Sequence, residues 1–146
     1  MDKRGIIIRD ARLEDMDEIV KIEEESFDDP YSKELFIRLL LSGTIFLVAE
    51  NNEVKGYIIG EAIGTRGHVI SIAVKRKFRR QGVGRQLMEK LEEILLRVGV
   101  KKVRLEVAIE NKTAVNFYRK LGYRAVGVLK DYYGWGKDAL LMEKTL

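Results

Sequence analysis

The spacing of apolar positions changes several times along the chain, and each change marks an element. Ile6, Ile7 and Ile8 form a short apolar run that ends in charge, which predicts a first strand. Met16, Ile19, Val20 and Phe27, with acidic residues between them, are spaced for one apolar helical face. Segment 28–32 contains Pro30, the sole proline, and breaks that pattern; Ser32 is placed to cap a second helix through Leu35, Phe36, Leu39 and Leu40. Strands are predicted over 45–50 and 54–62, flanking a turn at Asn51-Asn52. A second turn over 64–67 leads into a strand over 68–74.

The strongest helical signal covers 83–98, where Val83, Leu87, Leu91, Ile94, Leu95 and Val98 share one stripe and Gly99 is placed to end the helix. Val103, Leu105 and Val107 alternate with Arg104 and Glu106, as in a strand with two different faces. Asn111 is placed to cap a short helix through Ala114, Val115 and Tyr118 that ends at Gly122, and strands over 123–129 and 139–142 follow. The order β-α-α-β-β-β-α-β-α-β-β predicts an α/β fold, a mixed sheet packed by helices. With no repeat, linker or low-complexity stretch, 1–146 reads as a single domain. The short apolar C-terminal strand is a candidate for pairing across a homodimer, the alternative being a monomer.

Composition narrows the chemistry. The chain has 146 residues, no cysteine and one histidine, His68. These counts exclude a disulfide scaffold, a thiolate nucleophile and a cysteine- or multi-histidine-ligated metal, so no metal centre is expected. Neither an HExxH pair nor a GxSxG elbow is present. The net charge of +4, from 27 Lys+Arg against 23 Asp+Glu, is mildly basic. No apolar run approaches the ~20 residues that cross a bilayer, and the opening stretch is too short in apolar residues for a leader. The expectation is a cytoplasmic protein without membrane contact. High charge with few Asn and Gln leans toward a thermophile.

The most informative stretch runs from Val74 through Lys75, Arg76, Lys77, Phe78, Arg79, Arg80, Gln81, Gly82, Val83 and Gly84 to Arg85. It leaves a predicted strand, crosses a basic loop and enters the strongest helix. Unpaired N–H groups at a helix start, a glycine that admits close approach and flanking arginines are the physical requirements of a pyrophosphate cradle. It is not a P-loop, because Arg85-Gln86 stands where Lys-Ser/Thr is needed, and it is not a dinucleotide fingerprint, because Leu87 stands near the third glycine position. A solvated basic loop is the alternative. A nucleic-acid patch is disfavoured because Phe78 alone interleaves the charges.

The run Arg79-Arg80-Gln81-Gly82-Val83-Gly84 resembles the Q/R-x-x-G-x-G/A signature of the GCN5-related N-acetyltransferases (GNAT), and the stretch from Asn111 to Tyr123 resembles that family's second signature. Three further segments resemble its protein N-terminal acetyltransferases of the RimI and Ard1 types: 24–32, 67–74, and 131–139 with its Tyr132-Tyr133 pair. The resemblance spans essentially the whole chain. It implies helices on both faces of a central mixed sheet, acetyl-CoA as co-substrate, and direct acetyl transfer in a ternary complex to the α-amino group of a protein, ribosomal proteins among the acceptors. Lysine side chains and small amines are the alternative acceptors. The non-enzymatic alternatives are a CoA-binding module and a nucleic-acid-binding module.

Residue by residue, the resemblance implies acetyl-CoA contacts from the backbone of Ile72, Ala73 and Val74, where a strand bulge would aim an N–H at the thioester carbonyl. Further contacts would come from Arg79, Arg80, Gln81, Gly82, Val83, Gly84 and Arg85, and along the pantetheine arm from Asn111, Ala114 and Phe117. Glu106 would be the base and Tyr118 the acid for the leaving thiolate, with His68 an auxiliary base or substrate contact. Phe27, Pro30, Tyr31, Tyr132 and Tyr133 would close over the acceptor. Each has a plainer reading: Glu106 as a cross-strand partner of Arg104 or a lysine, Tyr118 as a core aromatic beside Leu121, His68 as a structural residue, and the aromatics as packing.

Overall fold

Every predicted element forms, in the predicted order. The strands are β1 (Ile7–Asp10), β2 (Ile45–Glu50), β3 (Val54–Ile63), β4 (Arg66–Val74), β5 (Lys102–Ala108), β6 (Arg124–Leu129) and β7 (Ala139–Thr145). The helices are α1 (Met16–Ser26), α2 (Lys33–Leu41), α3 (Val83–Arg97) and α4 (Lys112–Lys120). The computed structural model describes residues 5–146; residues 1–4, part of the opening stretch read as no leader, lie outside it. The seven strands hydrogen-bond in the order β1-β2-β3-β4-β5-β7-β6. β4 and β5 run parallel, whereas β1–β2, β2–β3, β5–β7 and β6–β7 are antiparallel. The sheet is therefore mixed, as expected. The chain divides into two compact units, one of Met1–Glu61 with Ile70–Ile94 and the other of Ala62–Val69 with Leu95–Leu146.

In the first unit, α1 buries Met16, Ile19 and Ile22, and α2 buries Phe36, whose ring lies 5.5 Å from Tyr57 and 6.2 Å from Phe46. Each such apolar side chain stabilises the fold by about 1.5–3 kcal/mol on full burial. The Ser32 cap forms as predicted, its Oγ accepting from the Leu35 N–H at 3.2 Å. In the same unit, α3 buries Val83, Leu87, Met88 and Leu91. Asp15 fixes the start of α1: it accepts both Nη groups of Arg9 on β1, at 2.8 and 2.9 Å, and the Arg12 N–H at 2.7 Å. The Arg9 hydrogen bonds hold the Asp15 carboxyl below its ordinary range despite partial burial.

In the second unit, β5 alternates as predicted: Val103, Leu105 and Val107 are buried while Lys102 and Arg104 are exposed. α4 buries Val115 and Tyr118, one helical turn apart.

Four expectations need correction. Phe27 is not on the apolar face of α1; it is the extended residue that ends the helix, and it is exposed. Arg66 and Gly67 belong to β4 rather than to the preceding turn. Val98 lies beyond α3 and is exposed, because the helix unwinds before Gly99. The final strand runs to Thr145 and pairs with β5 on one side and β6 on the other, so it has no free edge to offer a second copy.

Candidate active site

In the first unit, the basic segment leaves β4 through a 3-10 turn, Arg76–Phe78, and enters α3 at Val83. Arg80 has φ +63° and Gly82 φ +84°. The left-handed backbone at Gly82 costs glycine nothing; the same region at Arg80 is strained for a residue with a Cβ. Arg79 braces the loop, donating from Nε to the Val74 carbonyl at 3.0 Å and from Nη2 to Ser26 Oγ at 3.0 Å. Gln81 donates to the Lys77 carbonyl at 3.3 Å, and Arg85 pairs with Glu89 along α3 at 3.2 Å. Arg80 remains exposed at the turn. The first N–H groups of a 15-residue helix thus open onto a loop rich in cations, as a phosphate cradle requires. Just upstream, Ala73 is buried, and a Cβ at Gly56 on β3 would come within 2.9 Å of its carbonyl oxygen. Only glycine at position 56 allows β3 to approach the Ala73–Val74 backbone this closely.

In the segment after α1, Tyr31 is held by a group that sequence reasoning missed. Glu23 is 2% exposed, on the apolar stripe of α1. Its carboxylate accepts the Tyr57 hydroxyl and, at 2.9 Å, the Tyr31 N–H; Ser71 Oγ on β4 lies 2.9 Å from the same Tyr57 hydroxyl. Burial pushes the Glu23 carboxyl up, against the lowering effect of those two donors. The signal was legible: Glu23 follows Met16 by seven residues and Ile19 by four, the spacing of a core position. Tyr31 packs on Phe36 at 5.7 Å, so its ring serves the core as well as the loop, whereas Phe27 and Pro30 are exposed. Substituting Glu23→Ala leaves the buried Tyr57 hydroxyl with Ser71 alone and removes the acceptor of the Tyr31 N–H. We expect a loss of about 1–3 kcal/mol in urea unfolding.

In the second unit, β4 and β5 pair in register with His68 opposite Arg104, and Glu106 follows on the same β5 face. His68 Nε2 lies 2.8 Å from Glu106 Oε1, with the side chains 21% and 11% exposed. The Tyr132 hydroxyl donates to the same oxygen at 3.5 Å. Among the described residues Glu106 thus partners His68 and Tyr132 rather than a lysine. Burial raises its carboxyl, but the His68 hydrogen bond and charge, then Arg104 and Tyr132, outweigh burial and bring it below the ordinary range. Glu106 is therefore ionised at neutral pH and able to accept a proton.

The loop that carries Tyr132 is tightly built. Asp131 Oδ1 accepts the Gly136 N–H at 2.7 Å, Asp138 Oδ1 accepts the Asp131 N–H at 2.9 Å, and the Tyr132 and Tyr133 rings meet edge to face at 4.9 Å. Both tyrosines are exposed.

Tyr118 lies on α4, its ring 5.2 Å from Phe117 and 6.1 Å from Tyr123. Burial, with the nearby Tyr133, pushes its phenol well above the ordinary tyrosine value, so it keeps its proton through the neutral range. Its hydroxyl has no hydrogen-bond partner among the described residues. Asn111 caps α4, Oδ1 accepting the Ala114 N–H at 3.1 Å, which ties together two of the residues implied along the pantetheine arm. No group of three or more metal-ligating side chains exists among the described residues.

A family profile described as "Acetyltransferase (GNAT) family" matches residues 13–123. The chain belongs to the GNAT acetyltransferases. It is 37% identical to an N-alpha-acetyltransferase of Sulfurisphaera tokodaii, over 95% of this chain and 92% of that protein. It is 34% identical to an N-alpha-acetyltransferase of Saccharolobus solfataricus, over 98% and 95% of the two chains. Among solved structures, Ard1 from Thermoplasma volcanium superposes with a TM-score of 0.93 at 28% identity, over 97% of this chain and 98% of that one. The ribosomal-protein-S18-alanine N-acetyltransferase of Escherichia coli gives 0.87 at 25% identity, over 96% and 93%. This GNAT chain is an acyltransferase whose seven-stranded mixed sheet is the fold of those neighbours. Among its described residues no helix is long and apolar enough to cross a membrane.

Proposed function

We propose that this GNAT protein is a single acetyltransferase domain over residues 1–146. It transfers acetyl from acetyl-CoA to the α-amino group of polypeptides in the cytoplasm. The observation that carries the reading is the Glu106 carboxylate, held by His68 at 2.8 Å and reached by Tyr132. A free α-amine has a pKa of about 7.7–8.0, against about 10.4 for lysine, so an ionised carboxylate with a histidine partner suffices to take its proton. The N-alpha-acetyltransferases of two archaea and the structures of Ard1 and the S18-alanine enzyme support this acceptor. Those archaeal relatives also support the thermophilic reading of the composition.

In the proposed reaction the amine nitrogen attacks the thioester carbonyl carbon and the C–S bond breaks. The amine proton passes to Glu106, directly or through water, and Tyr118 protonates the departing thiolate. With no cysteine in the chain, an acetyl-thioenzyme intermediate is not available. The residues fit the co-substrate: an exposed arginine at a left-handed turn, Gly82 and the start of α3 would take the pyrophosphate, and the backbone of Ile72 to Val74 the pantetheine amides.

The test is acetyl-CoA-dependent CoA release with short peptides that differ in their first two residues, alongside N-blocked peptides carrying an internal lysine. Turnover is expected on free N-termini only. Turnover confined to blocked lysine peptides would transfer the assignment to a lysine acetyltransferase.

A further inference from the structure

The face of the second unit that carries His68 and Glu106 is strongly cationic away from them. Directly opposed residues share a face of a sheet, and the register sets out the rows. One row holds His68, Arg104, Glu143 and Arg124 across β4, β5, β7 and β6. The row beyond it, away from Glu106, holds Arg66, Lys102 and Thr145. Arg66, Lys102, Arg104 and Arg124 are all exposed. The one carboxylate among them, Glu143, lies 3.7 Å from Lys102 Nζ. Arg66, Arg104 and Arg124 make no ion pair among the described residues.

Four cations against two carboxylates on this sheet face, Glu143 and the more distant Glu106, leave a net positive field that favours an acidic ligand. The patch is continuous with the site: Arg104 lies one row from Glu106, and its charge helps lower the Glu106 carboxyl and opposes the rise of the Tyr132 phenol.

We propose that this face is an acceptor subsite that selects polypeptides with acidic residues shortly after the N-terminus. The inference rests on the N-terminal acetyltransferase reading above. Successive residues on one strand face are about 7 Å apart along the strand, so Arg104 lies about 7 Å and the Arg66–Lys102 row about 14 Å from Glu106. An extended chain advances about 3.3–3.6 Å per residue. With the α-amine at Glu106, about the third residue of the acceptor meets Arg104 and about the fifth meets Arg66 and Lys102. The occupant is a peptide segment rather than a nucleic-acid backbone, because the cations begin at a group that takes a proton from an amine.

The experiment measures kcat/KM for peptides sharing their first two residues, with Asp and Glu, Asn and Gln, or Lys at the third and fifth positions. It uses the wild-type protein, Arg66→Gln, and Arg66→Gln combined with Arg104→Gln. The acidic-to-neutral ratio is taken within each variant, so a general loss of turnover cancels. Wild-type protein is expected to favour acidic peptides about three- to tenfold, mostly through KM. The ratio should fall toward one near 1 M salt, where the Debye length is about 3 Å. It should fall stepwise through the two variants.

Equal rates for all three peptide sets, with free N-termini still acetylated, would overturn the subsite and leave the proposed function standing. A preference that survives both substitutions would overturn the assignment to this face. Charge-indifferent peptides together with RNA retention that Arg66→Gln and Arg104→Gln abolish would replace the proposal with a phosphate-backbone surface. Silence on every free N-terminus would instead overturn the reading on which the subsite rests.

Discussion

Glu106→Gln is expected to lower kcat/KM on a free N-terminal peptide by about 10²- to 10⁴-fold, the usual range for losing a positioned general base. The amide keeps the shape of the side chain and can still meet His68 and Tyr132, so the fold and the Tyr132 loop should survive. What it cannot do is take a proton. The pH profile separates this role from a merely structural one. Because Glu106 titrates below the ordinary carboxylate range, the wild-type base is ionised across pH 6–9.5, and the rise in rate over that range reports deprotonation of the amine near about 7.7–8.0. Below that pH the amine arrives protonated and the carboxylate has a proton to manage; above it the amine arrives neutral. The deficit of Glu106→Gln should therefore be greatest at pH 6–7 and shrink toward pH 9.5. An equal deficit at every pH would make Glu106 a residue that only holds His68 and Tyr132 in place.

The reasons this site was partly legible in the sequence are local ones. The β5 alternation put Glu106 on a polar face, and the helical stripe after Gly82 put a basic loop at the start of α3, because both rest on periodicity within one element. The partner of Glu106 was not legible. Arg104 and lysines were the expected neighbours on charge alone, but register places His68 opposite Arg104 on the adjacent parallel strand, and parallel register depends on a crossover that carries no short-range signature. Phe27 fits the spacing of the α1 stripe, but the helix ends one residue before it. Glu23 is the converse case: an acidic residue reads as a polar position, but its spacing on the apolar stripe of α1 makes it core. Its partner Tyr57 comes from β3, 34 residues away in the chain, and Tyr57 in turn meets Ser71 on β4, an arrangement that no local pattern predicts. The free edge expected of the last strand failed likewise, since local alternation cannot show that β7 inserts between β5 and β6.

Tyr118→Phe tests the other half of the chemistry, with an expected fall in kcat of about 10²-fold and little change in KM for acetyl-CoA. The substitution removes one oxygen and keeps the ring that packs on Phe117 and Tyr123, so thermal stability should hold. Burial raises the Tyr118 phenol, so the wild-type group stays protonated and can donate throughout the working range. A departing thiolate needs that proton most when its conjugate acid is weak. A thiol near the ordinary value of about 8.5 is still largely protonated at equilibrium at pH 7, so its expulsion as a bare anion is costly there. The deficit should therefore narrow when acetyl-CoA is replaced by an acetyl thioester of a markedly more acidic thiol, whose anion leaves unaided. A kcat for Tyr118→Phe within twofold of wild type, with no dependence on the leaving thiol, would return Tyr118 to the core as a packing aromatic. Proton donation to the thiolate would then have to come from water.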